Sequence, residues 1–291
     1  MNGILLIDKP AGWTSFDVVA KLRGATRQKK IGHGGTLDPM ATGVLPIFLG
    51  KATRLADLLP DETKHYEAEM QLGLVTDTYD TTGAVMSRRP VVVTDTALQV
   101  AAAQFVGDIM QLPPMYSAVK VGGRKLYDLA RQGCEVERPI RPVHVHSLTA
   151  TLTAPDKVAL SVRCSKGTYV RSICHDMGAL LSCGGAMSAL RRTASAGFSL
   201  TDCLPLEQAV KMAESGEIAD TLLSLSSALA SLPALTPGEW EARLMLTGVR
   251  LEAERIGAQP GQKYRILQDD VFIGIGELNA EGLFLFKNLA I

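Results

Sequence analysis

The residues best suited to chemistry lie between Ile31 and Arg54, where one carboxylate stands in a glycine-rich segment that leads into an apolar run. This segment reads IGHGGTLDPMATGVLPIFLGKATR, and its carboxylate is Asp38. An Asp before Pro is commonly a turn former, because its side chain binds the backbone just ahead. The glycines supply positive φ or cradle a phosphate, although the P-loop spacing G-x-x-x-x-G-K-[ST] is absent. Taken alone, these residues indicate a candidate binding loop.

Two further residues stand where they would serve a site. Tyr66 belongs to a strictly alternating stretch that ends at Leu72, the period of a strand with one buried face, so its ring points inward with Met70. Arg171 follows a turn and precedes apolar residues at helical spacing, which places it near the first turn of a helix. The ordinary alternatives are a core tyrosine and a solvated or phosphate-binding arginine.

The elements that position these residues follow from periodicity and capping signals. We predict an amphipathic helix over 13–23 that ends at Gly24, and a basic, glycine-rich loop over 27–35. A second helix begins at Asp95 and ends before Gly107. The first helix has Thr14 or Ser15 as its N-cap and buries Phe16, Val19 and Leu22. The remaining predicted strands are Val158–Cys164, Lys263–Leu267, Val271–Leu278 and Gly282–Phe286.

A chain of 291 residues with 46% apolar content is long enough for one large core and a smaller second unit. A serine- and leucine-rich stretch over 222–235, followed by Pro237, marks a change of character. We therefore predict an α+β domain over 1–235 and a small β-rich domain over 236–291. No apolar run reaches the roughly 18 residues of a membrane span, and we expect a cytoplasmic protein.

Charge is balanced overall but unevenly distributed along the chain. The formal net charge is zero, whereas residues 1–60 and 118–192 carry +4 and +7, and residues 61–117 and 193–291 carry −5 and −6. Two basic blocks can meet in space as one positive face for a nucleic acid, although a randomly mixed surface fits the same counts. The five cysteines form no C-x-x-C pair, and His144 with His146 is more typical of a strand pair than of a metal site, so no metal is predicted.

Several segments together resemble one family. GHGGTLDPMATGVLP is similar to the catalytic motif of the TruB family of tRNA pseudouridine synthases. The resemblance covers residues 3–200 closely and the last sixty residues loosely, and it departs from the family pattern at Gly34, where many members carry a side chain. The other matching segments, in family order, are GILLIDKPAGWTSF, KHYEAEMQLG, PPMYSAVKVGGRKLYDLARQG, CSKGTYVRSICHDMG and LRRTASAGF.

This resemblance implies a fold and a reaction. The implied fold is that of the pseudouridine synthases, with a mixed, largely antiparallel sheet flanked by helices, an RNA-gripping insertion over about 117–142, and a PUA-like C-terminal domain. The implied reaction breaks the N1–C1′ bond of uridine 55 in the tRNA T-loop and rejoins the uracil through C5, without a cofactor. Asp38 is then the catalytic carboxylate, acting as a nucleophile at C6 or C1′ or as a base.

The resemblance also assigns roles to other side chains. Arg171 pairs with Asp38 and keeps it ionised, and Tyr66 stacks on the extruded base and is a possible proton-transfer group. His33 helps to hold the flipped-out bases. The implied substrate- and RNA-binding set is Lys9, His33, Gly35, Thr36, Lys120, Arg124, Lys125, Tyr169, Leu190, Arg191 and Arg192.

The expected partner is the T-arm stem-loop of tRNA, bound by a monomer without an obligatory protein partner. A guide-RNA-dependent synthase of the same fold is one alternative, although such proteins tend to carry longer basic extensions, whereas the last block here is acidic. A tRNA-folding protein in which turnover is secondary is another. A nucleotide-phosphate enzyme is the third, and no P-loop or metal-binding companion supports it.

Overall fold

The computed structural model describes residues 1–252, 259, 261–279 and 282–289, apart from the side chains of Lys125 and Phe286. The predicted RNA contact of the Lys125 side chain therefore lies outside the described residues. The strands are β1 (Gly3–Lys9), β2 (Ile31–His33), β3 (Thr42–Leu49), β4 (Lys64–Leu72), β5 (Leu74–Thr76), β6 (Val85–Arg88), β7 (Gly107–Gln111), β8 (Lys120–Val121), β9 (Arg124–Lys125), β10 (Arg141–Ala154), β11 (Lys157–Cys164), β12 (Gly185–Ser195), β13 (Phe198–Ser199), β14 (Leu204–Pro205), β15 (Ala234–Leu235), β16 (Lys263–Gln268), β17 (Val271–Asn279) and β18 (Gly282–Asn288). The helices are α1 (Ser15–Thr26), α2 (Asp95–Ala103), α3 (Leu126–Ala130), α4 (Val170–Leu180), α5 (Leu206–Ser215), α6 (Leu225–Ala228) and α7 (Glu239–Leu246).

One large sheet organises the first two hundred residues. Its strand order is β14-β1-β3-β12-β4-β11-β10-β7, with β2 paired to β3 and β13 to β12. The pairs β1–β14 and β3–β12 are parallel, and the other pairings in this sheet are antiparallel. The predicted mixed, largely antiparallel sheet is confirmed. Strand β12 lies between β3 and β4, so it joins the strand that follows Asp38 to the strand that carries Tyr66.

Alternation along the strands separates a buried face from a polar one. In β4, Tyr66, Ala68 and Met70 are buried, whereas His65 and Glu67 are exposed. The buried face packs against apolar residues of α1, α2, α4 and α5 in one continuous core. Burial of this area is the main source of stability for the sheet and fixes which side of each strand faces the helices.

A second cluster packs on the opposite face, at the β1–β3 end of the sheet. Ile4, Leu6 and Phe48 lie in this cluster with Phe272 and Ile275 of the C-terminal strands. The C-terminal strands form a four-stranded sheet in the order β15-β16-β17-β18, in which only β15–β16 is parallel. This confirms a β-rich C-terminal region, while a domain boundary near residue 235 stays a prediction. None of the described helices is long and apolar enough to cross a membrane.

The first helix differs from its prediction at its end and on one face. Helix α1 continues through Gly24 to Thr26, because Arg27, with a φ of 54°, adopts the left-handed conformation and its N–H donates to the Gly24 carbonyl. Phe16 is 62% exposed rather than buried, with the Arg23 guanidinium 5.9 Å from its ring centroid. The predicted loop over 27–35 also contains strand β2, which pairs with β3.

The segment predicted as an RNA-gripping insertion has a small core of its own. A hairpin of β8 and β9 leads into α3, and Leu126 and Leu129 pack with Met115 and Val119. Lys120 and Arg124 are exposed on the hairpin, and the Arg124 Nη2 donates to Gln132 Oε1 at 2.7 Å. The cations of this segment therefore stand on a compact support beside the large sheet.

The substitution Gly43→Ala tests whether the close approach of β3 and β12 requires a glycine at this position. The φ of Gly43 is 102°, and a Cβ atom there would lie 2.1 Å from the carbonyl oxygen of Arg192. We expect Gly43→Ala to lower the free energy of unfolding by roughly 3 kcal/mol, because a central strand must shift. Gly24→Ala is the control, since nothing lies within 4 Å of its added Cβ, and we expect it to stabilise by about 0.5–1 kcal/mol. Urea unfolding measures both, and equal effects would contradict the close-packing argument.

Candidate active site

Asp38 lies in the loop between β2 and β3, which is fastened to α1 and β1. The backbone N–H of Leu37 donates to Ser15 Oγ at 2.9 Å, and the Lys9 ammonium donates to the Pro39 carbonyl at 3.3 Å. Both residues that flank Asp38 in sequence are therefore held from the side of the core. A carboxylate on such a loop keeps a fixed position, which general base or nucleophilic chemistry requires.

Lys9 occupies a different position from the one predicted. Its side chain is fully buried, and its ammonium also donates to the carbonyls of Pro10 at 2.9 Å and Trp13 at 2.6 Å. Burial lowers the pKa of Lys9 to about 8. The prediction that Lys9 lines the pocket and contacts RNA is corrected here, because three backbone carbonyls occupy its donors and it supports the Asp38 loop from within.

Arg171, at the start of α4, holds the carboxylate of Asp38 at two points. Its Nη2 donates to Oδ1 at 2.9 Å, and its Nε lies 2.9 Å from Oδ2. The side chain of Arg171 is 4% exposed and that of Asp38 is 29% exposed. The guanidinium is thus buried behind the carboxylate, whose outer side stays open, as a group that must meet a substrate requires.

A second carboxylate, which the sequence did not reveal, fixes the guanidinium itself. Asp80 is buried, and its Oδ2 lies 3.6 Å from Arg171 Nη1. The Nη1 also donates to the Thr78 carbonyl at 3.2 Å, and Nη2 to the Tyr116 carbonyl at 2.9 Å. Asp80 Oδ1 in turn accepts from the Thr82 N–H at 2.9 Å. The run DTYDTTG, rich in side chains that cap turns, is the signal that would have marked this loop.

The electrostatics of Asp38 follow from this arrangement. The pKa of Asp38 is raised above its ordinary value, first because removal from water disfavours the charged form. The Arg171 charge acts in the opposite direction, and the nearby negative charge of Asp80 adds to the rise. Burial makes this carboxylate more basic while the charges of Arg171 and Lys9 favour its ionised form, a balance suited to nucleophilic or base chemistry.

The open side of Asp38 faces a cavity of about 240 Å³. Tyr66 stands on its wall with its ring on the buried face of β4, and burial raises the pKa of its phenol. Tyr66 is therefore neutral at ordinary pH and presents an aromatic surface beside the carboxylate. The lining residues are Thr36, Leu37, Asp38, Lys64, Tyr66, Ser117, Ala118, Gly167, Thr168, Tyr169, Val170, Arg171 and Leu190.

The structure thus brings six of the predicted site residues to one cavity. Besides Asp38, Tyr66 and Arg171, they are Thr36, Tyr169 and Leu190. Tyr169 is clamped through its backbone, since its N–H donates to Gln111 Oε1 at 2.8 Å and its carbonyl accepts from Gln111 Nε2 at 3.1 Å. That clamp sets the entry of α4 and hence the position of Arg171.

The remaining predicted residues lie outside this cavity. Arg192, predicted to line the pocket and bind RNA, is fully buried, with Nε donating to the Val44 carbonyl at 2.8 Å and Nη2 to the Gly35 carbonyl at 3.1 Å. Arg191 is half-exposed and donates to Asp8 Oδ2 at 2.8 Å. Burial and the charge of Arg192 lower the pKa of His33, which keeps its imidazole neutral.

Gly34, where the sequence departs from the family pattern, lies close to the Phe48 ring. A Cβ atom there would lie 2.8 Å from the Phe48 ring, so a side chain at this position requires that ring to move. In the histidine pair, His144 Nδ1 lies 2.7 Å from Asp108 Oδ1 in an exposed contact, and the His144 and His146 ring centroids are 4.6 Å apart. Within the described ranges, no group of three or more His, Cys, Asp or Glu residues is placed to hold a metal ion.

Comparison with known proteins agrees with the fold and the cavity. The profile described as TruB family pseudouridylate synthase (N terminal domain) matches residues 23–170, and that described as tRNA pseudouridylate synthase B C-terminal domain matches residues 171–230. A tRNA pseudouridine synthase B from Clostridium acetobutylicum is 40% identical over 292 residues, covering 99% of this chain and 100% of that protein. One from Lactococcus lactis subsp. cremoris is 43% identical, covering 90% of this chain and 79% of that protein.

Two solved structures share the fold. An H/ACA RNP bound to a substrate RNA containing 2′-deoxyuridine matches with a TM-score of 0.74 and 25% identity, covering 99% of this chain and 85% of that chain. A Cbf5-Nop10-Gar1 complex matches with a TM-score of 0.74 and 28% identity, covering 99% and 84%. The fold is thus that of the pseudouridine synthases. With these matches over nearly its whole length, the chain belongs to the TruB family of pseudouridylate synthases.

Arg171→Met tests the ion pair through the pH dependence of stability. The pKa of Asp38 rises further without the guanidinium, because that charge acts to lower it. Near the ordinary carboxyl pKa of 3.8, the variant therefore loses only the bonds to the Thr78 and Tyr116 carbonyls, and its cost grows by roughly 3 kcal/mol as the pH approaches neutrality. Urea unfolding across that range measures it. Arg191→Met, in the half-exposed pair with Asp8, is the control with a small cost. A pH-independent cost for Arg171→Met would contradict the pairing argument.

Proposed function

We propose that this chain isomerises uridine 55 in the T-loop of tRNA to pseudouridine. Relatives about 40% identical over nearly the full chain are named tRNA pseudouridine synthase B, and both family profiles are described as pseudouridylate synthase domains, which supports the coarser activity. The observation that carries the proposal is the two-point contact of Arg171 with Asp38 at the wall of a cavity that also contains an aromatic ring.

The reaction asks for little beyond a positioned carboxylate. The N1–C1′ bond breaks, the uracil turns, a C5–C1′ bond forms, and the C5 proton is lost to solvent while N1 gains one. No electrons or external groups enter, so the proposal assigns no cofactor. Asp38 would act as a nucleophile at C6 or C1′ or as a base at the sugar, and its exposed side faces the cavity as any of these requires.

The substrate must be extruded before this chemistry, since the glycosidic bond of a T-loop uridine is otherwise out of reach. Tyr66 offers a stacking surface beside Asp38, and Leu190 forms part of the same wall. His33, with a neutral imidazole, would help to hold the extruded bases. The exposed cations Lys120 and Arg124 and the half-exposed Arg191 would contact the phosphates of the T-arm, which position an RNA without reading its sequence.

Two other functions are compatible with the same cavity. The two solved structures described above are a ribonucleoprotein and a complex of three proteins, so a guide-RNA-dependent synthase of the same fold is a second candidate. The stand-alone tRNA enzyme is favoured, because the relatives matched over nearly the full chain are tRNA synthases. A tRNA-folding role would use binding alone, and it can coexist with turnover in one molecule.

The decisive experiment uses an unmodified tRNA transcript with tritium at C5 of uridine. We expect one equivalent of tritium to be released without guide RNA or protein partners, and the modified base to map to the T-loop. Asp38→Asn should lower the rate by at least about a thousandfold, because the neutral amide loses both nucleophile and base. Filter binding should show transcript affinity within a few-fold of wild type. Undiminished isomerisation by this variant would remove Asp38 from the mechanism.

Tyr66→Phe separates stacking from proton transfer. The phenylalanine keeps the aromatic surface, so if the ring only stacks, single-turnover isomerisation should fall by less than about tenfold. If the phenol moves a proton, the loss should be on the order of a hundredfold or more. The matched variant Tyr66→Leu removes the ring and should reduce the rate in both cases. A Tyr66→Leu enzyme as fast as wild type would exclude both roles.

A further inference from the structure

Arg192 carries a buried positive charge without a carboxylate beside it. Its side chain is fully buried, and its hydrogen bonds go to the carbonyls of Val44 and Gly35. In the part of the chain that the structure describes, no well-aligned hydrogen bond reaches its Nη1, although the Tyr66 phenol lies close enough for the guanidinium to act on it. A buried guanidinium that is neither ion-paired nor fully hydrogen-bonded is costly, and it is usually balanced by an anion from elsewhere.

Lys64 places a second cation next to it. Lys64 is the first residue of β4, its side chain is half-buried, and among the described residues its ammonium makes no hydrogen bond or ion pair. Burial, followed by the charge of Arg192, lowers the pKa of Lys64 to about 8. Two neighbouring cations therefore repel each other across a partly desolvated space.

Gly35 is the residue that leaves this space open. A Cβ atom at Gly35 would lie 3.3 Å from Arg192 Nη1 and 3.4 Å from Lys64 Nζ. Its φ of 81° also favours glycine. Because Gly35 has no side chain, neither cation is covered at this position.

The carboxylates nearest to this position are Asp38 in the cavity of the site and Asp57, Asp61 and Glu62 in the adjoining one. Glu62 is paired with Lys166, and Asp38 with Arg171. Asp61, across the neighbouring cavity, accepts a hydrogen bond from the Thr63 N–H. Among the described residues, neither Lys64 nor Arg192 forms an ion pair with any of these carboxylates.

We propose that Lys64, backed by the buried charge of Arg192, binds a backbone phosphate of the RNA next to the extruded uridine. This deepens the proposed function and rests on it. An extruded nucleotide stays tethered by a phosphate on each side, so a base beside Asp38 and Tyr66 leaves its phosphates at the cavity rim. Lys64 lines that cavity and also the adjoining cavity that contains Gly34 and Gly35. Its side chain therefore lies between the two cavities, where the RNA backbone would pass.

The experiment tests whether the Lys64 side chain contacts one particular phosphate linkage of the RNA. A T-arm stem-loop is made with a neutral methylphosphonate at either linkage flanking the target uridine, and its dissociation constant and single-turnover rate are measured. Lys64→Met should weaken binding of the natural RNA about tenfold, and its salt slope should fall by about 0.7–0.9. One methylphosphonate should weaken binding to wild type by a similar factor and cause no further loss in Lys64→Met.

Two control variants test whether the effect is specific to the positive charge at position 64. Lys166→Met removes a cation that is 63% exposed on the neighbouring cavity and paired with Glu62, and it should leave the methylphosphonate penalty intact. Lys64→Arg keeps the charge and should restore most of the affinity, which a loss through misfolding would not allow. A full methylphosphonate penalty in Lys64→Met would overturn the proposal, as would a Lys64→Met enzyme that binds like Lys166→Met.

Inorganic phosphate distinguishes the source of the anion. If millimolar phosphate binds wild type through Lys64 while neither methylphosphonate changes affinity, the site takes a free anion and the RNA assignment is overturned. The proposed function is judged separately by tritium release from the natural RNA with wild-type enzyme. Release with no Lys64 effect removes the phosphate site alone, and no release removes the isomerase proposal while the binding comparison still stands.

Discussion

The site depends on keeping one carboxylate charged where water is scarce. Asp38 is largely removed from solvent, and the buried guanidinium of Arg171 is the cation that meets it directly. Because two groups 133 positions apart in sequence must meet within 3 Å, the Asp38 loop and the start of α4 both have to be rigid. Lys9 and Ser15 fasten the loop, while Gln111 and the Asp80 turn fasten the helix start and the guanidinium.

The central sheet makes these attachments compatible. Strand β12 pairs with β3 on one side and β4 on the other, so Arg192 faces Gly43 in one register and Tyr66 in the other. Both β3 and β4 therefore begin beside the same buried guanidinium. The Asp38 loop, the aromatic ring and the cation behind them are fixed by one set of backbone hydrogen bonds, which is more precise than a site built on loops alone.

Sequence reasoning succeeded where a local period or cap determines structure. Alternation placed the Tyr66 ring on the buried face of β4, and helical spacing placed Arg171 in the first turn of α4. It was wrong where tertiary packing decides, since Phe16 is exposed and Lys9 and Arg192 are buried. Cations are usually exposed, and no local pattern shows that carbonyls from distant segments surround them. Asp80 was missed for the same reason, because its role is to contact Arg171, which is distant in sequence.

Local charge, rather than net charge, decides whether this protein suits an RNA. The chain is neutral overall, yet Asp38 is paired with Arg171, whereas among the described residues neither Lys64 nor Arg192 forms an ion pair with a carboxylate. A phosphate entering this region meets uncompensated positive charge at reduced dielectric, where attraction is stronger than at an open surface. A repulsive pair of cations in the free protein becomes a stabilising one when an anion separates them. Binding energy is thereby concentrated at the position where the extruded nucleotide must be held.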